Sequence, residues 1–302
     1  LLIKYEDWEP KAASLAVVSA ASDIIEEFQS DGYILTLRQL YYQFVGRGLI
    51  ENTEKSYKRL GTLMTKARYA GMISWEAIED RNRECIDYWT REDDQSLIDI
   101  LPNNIRFDRW ARQETYVEVW VEKEALGNVV ERACDPLFVP HLSCKGYLSA
   151  SEAWRAGQRL GEKLAEGKDC TIIHLGDHDP SGLDMTRDNQ DRIDVFTRNL
   201  GVNVSRIALN MDQVEEYAPP PNPAKQDDSR YKGYKDLYGE QSWELDALQP
   251  SVIVDLITEA VEPLIDRDAW HSVDTEERVL KHCLTQLGDR WPELRKEIAG
   301  EL

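Results

Sequence analysis

Asp177-His178-Asp179-Pro180-Ser181-Gly182 sets two carboxylates either side of one histidine, directly after an apolar run, Cys170 to Gly176, that reads as a buried strand. Two acids at the carboxyl end of a strand can share one hard divalent cation, and ligand sites in open α/β sheets lie outside those strand ends. A second apolar run, Tyr116 to Val121, ends in Glu122-Lys123-Glu124. Glu122, Asp177 and Asp179 then form the acidic triad of a Mg²⁺ site for phosphoryl chemistry, with Mn²⁺ as the other suitable ion. The bland alternative for the two aspartates is a solvated strand-end turn or a helix cap. An oxygen-only set argues against zinc. His174 reads as a strand residue with its own hydrogen bond. His178 points away from the aspartates on either side, because extended side chains alternate. Glu124 is better placed to pair with a basic neighbour than to bind metal.

A second chemical pair sits near the N-terminus. Thr36-Leu-Arg-Gln39 is a capping box, so a helix starts at Leu37. Leu37, Leu40, Tyr41 and Phe44 form its core stripe, which makes Tyr41 a packing residue. Arg38 and Tyr42 are i, i+4 partners on another face. Arg38 can hold a backbone phosphate there, and Tyr42 can attack its phosphorus to form a phosphotyrosyl ester. A surface Tyr-Arg contact in an ordinary DNA-binding helix is the competing reading.

These residues need elements to position them. An amphipathic helix spans 11–29 and ends at Asp31-Gly32; Gly46-Arg47-Gly48 breaks the second helix; a basic third helix runs from Ser56 to Ala70. With an extended piece at 72–78, this reads as a winged helix-turn-helix over residues 1–84, with Arg81 and Arg83 in or near the wing. Residues 85–114 read as a polar connector. From Thr115 the pattern alternates strands near 116–121, 138–144, 170–176 and 203–209 with helices near 124–134, 151–165 and 184–199. The expected fold class is thus α/β, with a mostly parallel sheet over 115–250 and a helical extension over 251–302. Pro219 to Pro223 opens a loop whose Lys225 and Arg230 could approach DNA. The apolar spacing after Pro250 reads as packing or a dimer surface.

The 302 residues can bury a sizeable core. Thirty-six Lys and Arg against 56 Asp and Glu give a formal charge of −20, which disfavours nucleic acid for the chain as a whole. Charge is uneven, however. Thr36 to Gly71 carries seven basic residues (Arg38, Arg47, Lys55, Lys58, Arg59, Lys66, Arg68) against Glu51 and Glu54. A basic face on an acidic body can bind DNA with marked salt dependence. Arg47, Lys55, Lys58, Arg59, Lys66 and Arg68 are the candidate phosphate contacts, with a solvated helix face as the alternative. Five cysteines form no C-x-x-C pair, which suits a reducing cytoplasm and argues against structural zinc. No stretch approaches the ~20 apolar residues of a membrane span. No basic-then-apolar leader opens the chain, so a cytoplasmic, nucleoid-associated location is expected.

Thr36-Leu-Arg-Gln-Leu-Tyr-Tyr42 resembles the tyrosine motif of the topoisomerase VI A-subunit family, which includes the meiotic double-strand-break transesterase. Val121-Glu-Lys-Glu124 and Asp177 to Gly182 resemble the two metal motifs of that family's Toprim domain. Cys144-Lys-Gly-Tyr-Leu-Ser149 resembles the segment between them, and Trp243-Glu-Leu-Asp-Ala-Leu248 is similar to a late acidic motif. The order and spacing agree over about residues 30 to 250, and the stand-alone Mini-A group of phages and mobile elements is the nearest match. The resemblance implies a type IIB topoisomerase-like transesterase with Tyr42 as nucleophile, Arg38 beside it, and Glu122, Asp177 and Asp179 as metal acids. It further implies that Glu122 takes part in proton transfer, while Asp184 lies close enough to be a supporting candidate only. It implies double-stranded DNA as substrate and a homodimer in which each tyrosine faces the other protomer's metal site. The chain has no ATPase motif, and the Mini-A likeness implies no dedicated ATPase subunit. A Toprim nuclease using water, and a non-catalytic DNA-binding accessory protein, are the alternatives.

Overall fold

The structure is a computed structural model that describes residues 2–79 and 92–300. Arg81, Arg83, Cys85 and the expected boundary between residues 84 and 85 fall outside the described residues.

Three helices open the chain: α1 (Ala12–Ser30), α2 (Leu37–Gly46) and α3 (Glu54–Tyr69). The two-residue strand β1 (Leu35–Thr36) precedes α2 and pairs in parallel with β2 (Ile78–Glu79). Val18, Ile24, Phe28, Leu40, Phe44, Leu60 and Met64 form their common core. The capping box forms as expected. Thr36 Oγ1 accepts from Gln39 N at 3.3 Å, and Gln39 Oε1 accepts from Thr36 N at 2.8 Å. This fixes where α2 begins, and so which side chains share its faces.

The expected connector holds a helix, α4 (Asp94–Asn104), capped by Asp93 and packed against the last helix of the chain. Beyond it lies a four-stranded parallel sheet in the order β4-β3-β5-β6, built from β3 (Thr115–Val121), β4 (His141–Ser143), β5 (Asp169–Leu175) and β6 (Asn203–Ala208). Helices α5 (Gly127–Cys134), α6 (Ala150–Ala165) and α7 (Pro180–Thr197) make the crossovers, and α8 (Met211–Tyr217) follows β6. This is the mixed α/β class read from the alternating pattern. β4 is shorter than the expected 138–144, because Phe138 sits at a positive φ of 53° and Pro140 lacks an amide to donate.

Both sheet faces are covered, which is why the strands read as nearly continuous apolar runs. Val117, Val119, Val121, Ile173 and Leu175 face one core. Trp120, Cys170 and Ile172 face the other. Glu118 lies on this second face and is satisfied there by Arg159 at 3.0 Å, Trp120 Nε1 at 2.8 Å and the Tyr116 hydroxyl at 3.0 Å.

The loop opened by Pro219 is more structured than expected. It contains β7 (Asn222–Pro223), α9 (Tyr231–Tyr238) and β8 (Gln241–Ser242), with β7 and β8 antiparallel. A 3₁₀ turn, Leu245–Ala247, leads to α10 (Pro250–Val261). Ile253, Ile257 and Val261 of α10 enter the first sheet core, so this part of the tail packs internally. The final helix, α11 (Arg267–Ala299), lies along α4.

Candidate active site

The carboxyl ends of β3 and β5 meet the 3₁₀ turn at Leu245–Ala247. β3 and β5 pair Val121 with Leu175, which brings Glu122 level with Gly176. Glu122 Oε2 accepts from the backbone N–H of Asp177 at 2.9 Å. A Cβ at position 176 would stand 3.0 Å from that oxygen, so glycine there lets the carboxylate approach. Gly182 is needed still more, since a Cβ there would stand 2.3 Å from the Asp177 carbonyl oxygen. Arg206 pins the same turn, donating to the carbonyls of Gly176, Asp177 and Gly182 at 2.9, 2.7 and 2.9 Å.

Asp177 is held from the far side as well. His178 and Trp243 exchange backbone hydrogen bonds of 2.8 and 3.0 Å, which carries Glu244 and Asp246 to the strand ends. Asp177 Oδ1 accepts from Leu245 N at 2.8 Å. As a result, one carboxylate oxygen each from Asp177, Glu244 and Asp246 lies within 4.8 Å of the others, a buried acidic triad that could bind a metal ion. It is the only such group among the described residues. The convergent set therefore shares Asp177 with the expected one, while Glu122 and Asp179 stand beside it. Asp179 caps α7, accepting from Gly182 N at 2.6 Å and Ser181 Oγ at 2.9 Å. The metal and the capping readings of this aspartate thus fall on one side chain. The sequence motif at Trp243 to Leu248 does not by itself give Glu244 and Asp246 a place in the metal site. Their E-x-D spacing is the available signal.

An all-oxygen donor set fits a hard divalent ion. Asp246 Oδ2 is buried and makes no hydrogen bond, although the Arg38 Nε lies 2.8 Å away as an ion-pair partner. Lys123 Nζ lies 2.9 Å from Asp177 Oδ1 and 2.8 Å from Asp246 Oδ1, and also pairs with Glu244. Burial works against that ammonium, but Asp246, Asp177 and Glu244 outweigh it and raise its pKa above the lysine range. Burial also raises the carboxyls of Asp177 and Glu122, with Lys123 opposing in both cases. Glu244 is lowered, because Lys123 and Arg38 together exceed its burial cost.

Arg38 pairs with Glu244 at 2.7 Å and Asp246 at 2.8 Å, tying α2 directly to the sheet ends. Its guanidinium carbon lies 5.9 Å from the centre of the Tyr42 ring. The helical spacing places Tyr42 on a face separate from the core, yet it is as buried as Tyr41, at 5% exposed. The stripe identifies only the face packed within the N-terminal unit. The opposite face of α2 is covered by the turn containing Ala247, which packs on the same core.

The two hydroxyls nevertheless differ. Tyr41 donates to Asn52 Oδ1 at 2.8 Å and lies 3.2 Å from the Thr53 carbonyl. No hydrogen-bond partner holds the Tyr42 hydroxyl among the described residues, and Tyr42 lines a cavity of about 540 Å³ together with Arg38, Asp179, Lys225 and Glu244. Burial, helped by Glu244 and Asp246 and opposed by Arg38 and Lys123, pushes its phenol up to about 12.

The histidines do not join the acids. His174 Nδ1 lies 2.8 Å from Thr186 Oγ1, while its buried Nε2 has no partner, so its expected hydrogen bonding is met on one side only. His178 Nδ1 lies 2.9 Å from the Tyr234 hydroxyl. Glu124 pairs at 2.6 Å with Lys145, which comes from the loop after β4. Asp184 belongs to an outer cluster, hydrogen-bonded to the Tyr147 hydroxyl at 2.7 Å and paired with Arg230 at 2.6 Å.

The candidate phosphate contacts divide. Lys55, Lys58, Arg59 and Lys66 are exposed on α3, with Lys58 paired to Glu54 at 2.6 Å. Arg47 pairs with Glu27 at 2.9 Å. Arg68 turns inward instead, donating to the Ile78 carbonyl with its guanidinium 5.7 Å from the Trp75 ring centre. In the Pro219 loop, Lys225 reaches the Tyr42 cavity, whereas Arg230 is held by Asp184 and Asp228.

No family model matches the chain, and no curated protein or solved structure matches it. Among the described residues, no helix is long and apolar enough to cross a membrane.

Proposed function

We propose that this chain is a DNA-cleaving transesterase of the type IIB topoisomerase kind, with Tyr42 as its nucleophile. One observation carries the reading. The Tyr42 hydroxyl, with no hydrogen-bond partner among the described residues, shares a cavity with Arg38, Glu244 and Asp179, beside a converging set of carboxylates. A phenol, a guanidinium and clustered acids at one opening are the groups that phosphoryl transfer to tyrosine needs. The resemblance of the tyrosine, E-K and D-x-D segments to the topoisomerase VI A-subunit family supports the same assignment.

In this reading, α3 lays Lys55, Lys58, Arg59 and Lys66 along the phosphates of double-stranded DNA, and Arg38 takes a non-bridging oxygen of the scissile phosphate. The Tyr42 oxygen forms a bond to phosphorus as the bond from phosphorus to the 3′ oxygen breaks. The phenolic proton finishes on the departing 3′ oxygen, with Glu122 as its carrier. The 5′ end remains on the protein. Mg²⁺ or Mn²⁺, held by Asp177 with Glu122 and Asp179 or with Glu244 and Asp246, would offset charge on the phosphate and on the leaving oxygen. A second copy supplies the second cut of a double-strand break. Reversal of the same step would religate the strand.

The test is to incubate protein with supercoiled plasmid and Mg²⁺ or Mn²⁺, denature rapidly, and look for protein on 5′ ends. Wild type is expected to form the adduct and Tyr42→Phe to lose it. Metal-dependent breaks with free ends, equal in both proteins, would make it a hydrolytic nuclease. Neither adduct nor breaks would leave a DNA-binding accessory protein.

A further inference from the structure

Lys123 follows Glu122 at the end of β3, and consecutive side chains of an extended segment leave on opposite sides. Glu122 turns toward Gly176 and the Asp177 amide. Lys123 turns the other way, and its ammonium meets one oxygen from each of Asp177, Glu244 and Asp246. These are the three acids whose oxygens converge within 4.8 Å.

An ordinary structural ion pair needs one carboxylate for one ammonium, and burying even that pair is costly. Here three acids surround one lysine, whose side chain is only 15% exposed, and Asp246 is fully enclosed. Arg38 supplies the second positive charge. With all three acids ionised, three negative charges would face these two, one charge short of neutrality. A divalent ion in place of the ammonium, with Arg38 retained, would balance it. The buried Asp246 Oδ2, 2.8 Å from the Arg38 Nε, is a further acceptor in the same group.

We propose that the Lys123 ammonium is a built-in cation occupying a divalent-metal position formed by Asp177, Glu244 and Asp246, so that removing it opens that position to Mg²⁺ or Mn²⁺. The inference rests on the metal reading of these acids and not on Tyr42 chemistry. With Lys123 in place, the side of Asp177 nearer Glu122 and Asp179 is left for an ion of the wild-type protein. Lys123 is on this account a positioning residue, because it holds the three acids together without any external ion.

The experiment is Mn²⁺ titration of the full chain, by calorimetry and by the loss of the free-ion electron paramagnetic resonance signal. Lys123→Ala is expected to take up one more Mn²⁺ per chain than wild type, Lys123→Arg to match wild type, and Lys123→Ala with Glu244→Gln to lose the added ion or bind it at least tenfold more weakly. If Lys123→Ala is unfolded without metal, Mn²⁺ should restore its near-ultraviolet circular dichroism. Equal Mn²⁺ uptake by wild type and Lys123→Ala, or a Lys123→Ala chain that stays unfolded in Mn²⁺, overturns the proposal. An ion bound by Lys123→Ala and none by wild type would uphold it while removing the wild-type metal from the proposed function.

Discussion

Adjacent tyrosines on α2 divide labour through their hydroxyls. Tyr41 spends its hydroxyl on Asn52, whose amide in turn donates to the Pro221 carbonyl at 3.3 Å, so it links α2 to the Pro219 loop. Tyr42 has no such duty among the described residues. Tyr41→Phe should therefore cost about 1 kcal/mol of stability while leaving the DNA adduct intact. Tyr42→Phe should abolish the adduct and leave urea unfolding within about 0.5 kcal/mol of wild type. Reversal of that pattern would exchange the two roles. His174 offers a separate check on the sheet core. Burial, helped by Arg206, lowers its pKa from 6.5 to about 3, so the folded chain refuses a proton that the unfolded chain accepts. Its contribution to stability is then whole above pH 6.5 and declines as pH falls toward 3, by at most about 1.4 kcal/mol per pH unit. Urea unfolding at pH 7 and pH 5 should show a smaller drop for His174→Gln than for wild type, and equal drops would show that the ring is protonated when folded.

At the scale of elements, the turn between β5 and α7 is the tightest construction in the site. Any side chain at Gly182 must push into the Asp177 carbonyl, so the turn and the start of α7 move together. Gly182→Ala should cost a few kcal/mol in thermal or urea unfolding and displace Asp177, whereas Gly161→Ala, which meets nothing within 4 Å on a helix interior, should be neutral or stabilising. Helix α3 makes a different prediction. Replacing Lys55, Arg59 and Lys66 by Gln should weaken duplex binding and lower its log-log salt slope by about 0.9 for each phosphate that is no longer neutralised. Arg68→Ala should lower stability instead, because its partners lie within the protein. These elements are legible in the sequence to different degrees. The parallel strands and their crossovers stand out because both sheet faces are apolar. The α2 start stands out because a capping box is local. Helix α4 is hidden in a polar stretch containing Pro102, and its signal is only Asp93 accepting from Ser96 at 2.7 Å. Helix α9 is hidden because proline-rich chain precedes it and Tyr234 is its only buried residue. The placing of Glu244 and Asp246 is not readable locally, since it depends on the backbone bridge between His178 and Trp243, 65 positions apart.

For the whole molecule, the decisive contacts run between the N-terminal helices and the sheet domain of the same chain. Arg38 meets Glu244 and Asp246; Arg132 of α5 donates to the carbonyls of Asp31 and Gly32 and lies 4.0 Å from the Tyr33 ring centre; Asn52 meets Asn222. Together they hold Tyr42, Asp179 and Glu244 on one cavity within a single chain. The family resemblance implies the opposite division, with each tyrosine facing the other protomer's metal site. The two arrangements separate in mixed assemblies. Tyr42→Phe and Asp177→Asn chains, distinguished by size and coexpressed, each lack one half of the chemistry. If each chain acts through its own cavity, the mixture forms no adduct with plasmid in Mn²⁺. Adduct on the Asp177→Asn chain, which keeps its tyrosine, would mean that the nucleophile crosses to the partner's acids. The contacts of Arg38 with Glu244 and Asp246 would then describe a chain waiting for its second copy. The cavity that Tyr42 shares with Asp179 and Glu244 favours the first outcome.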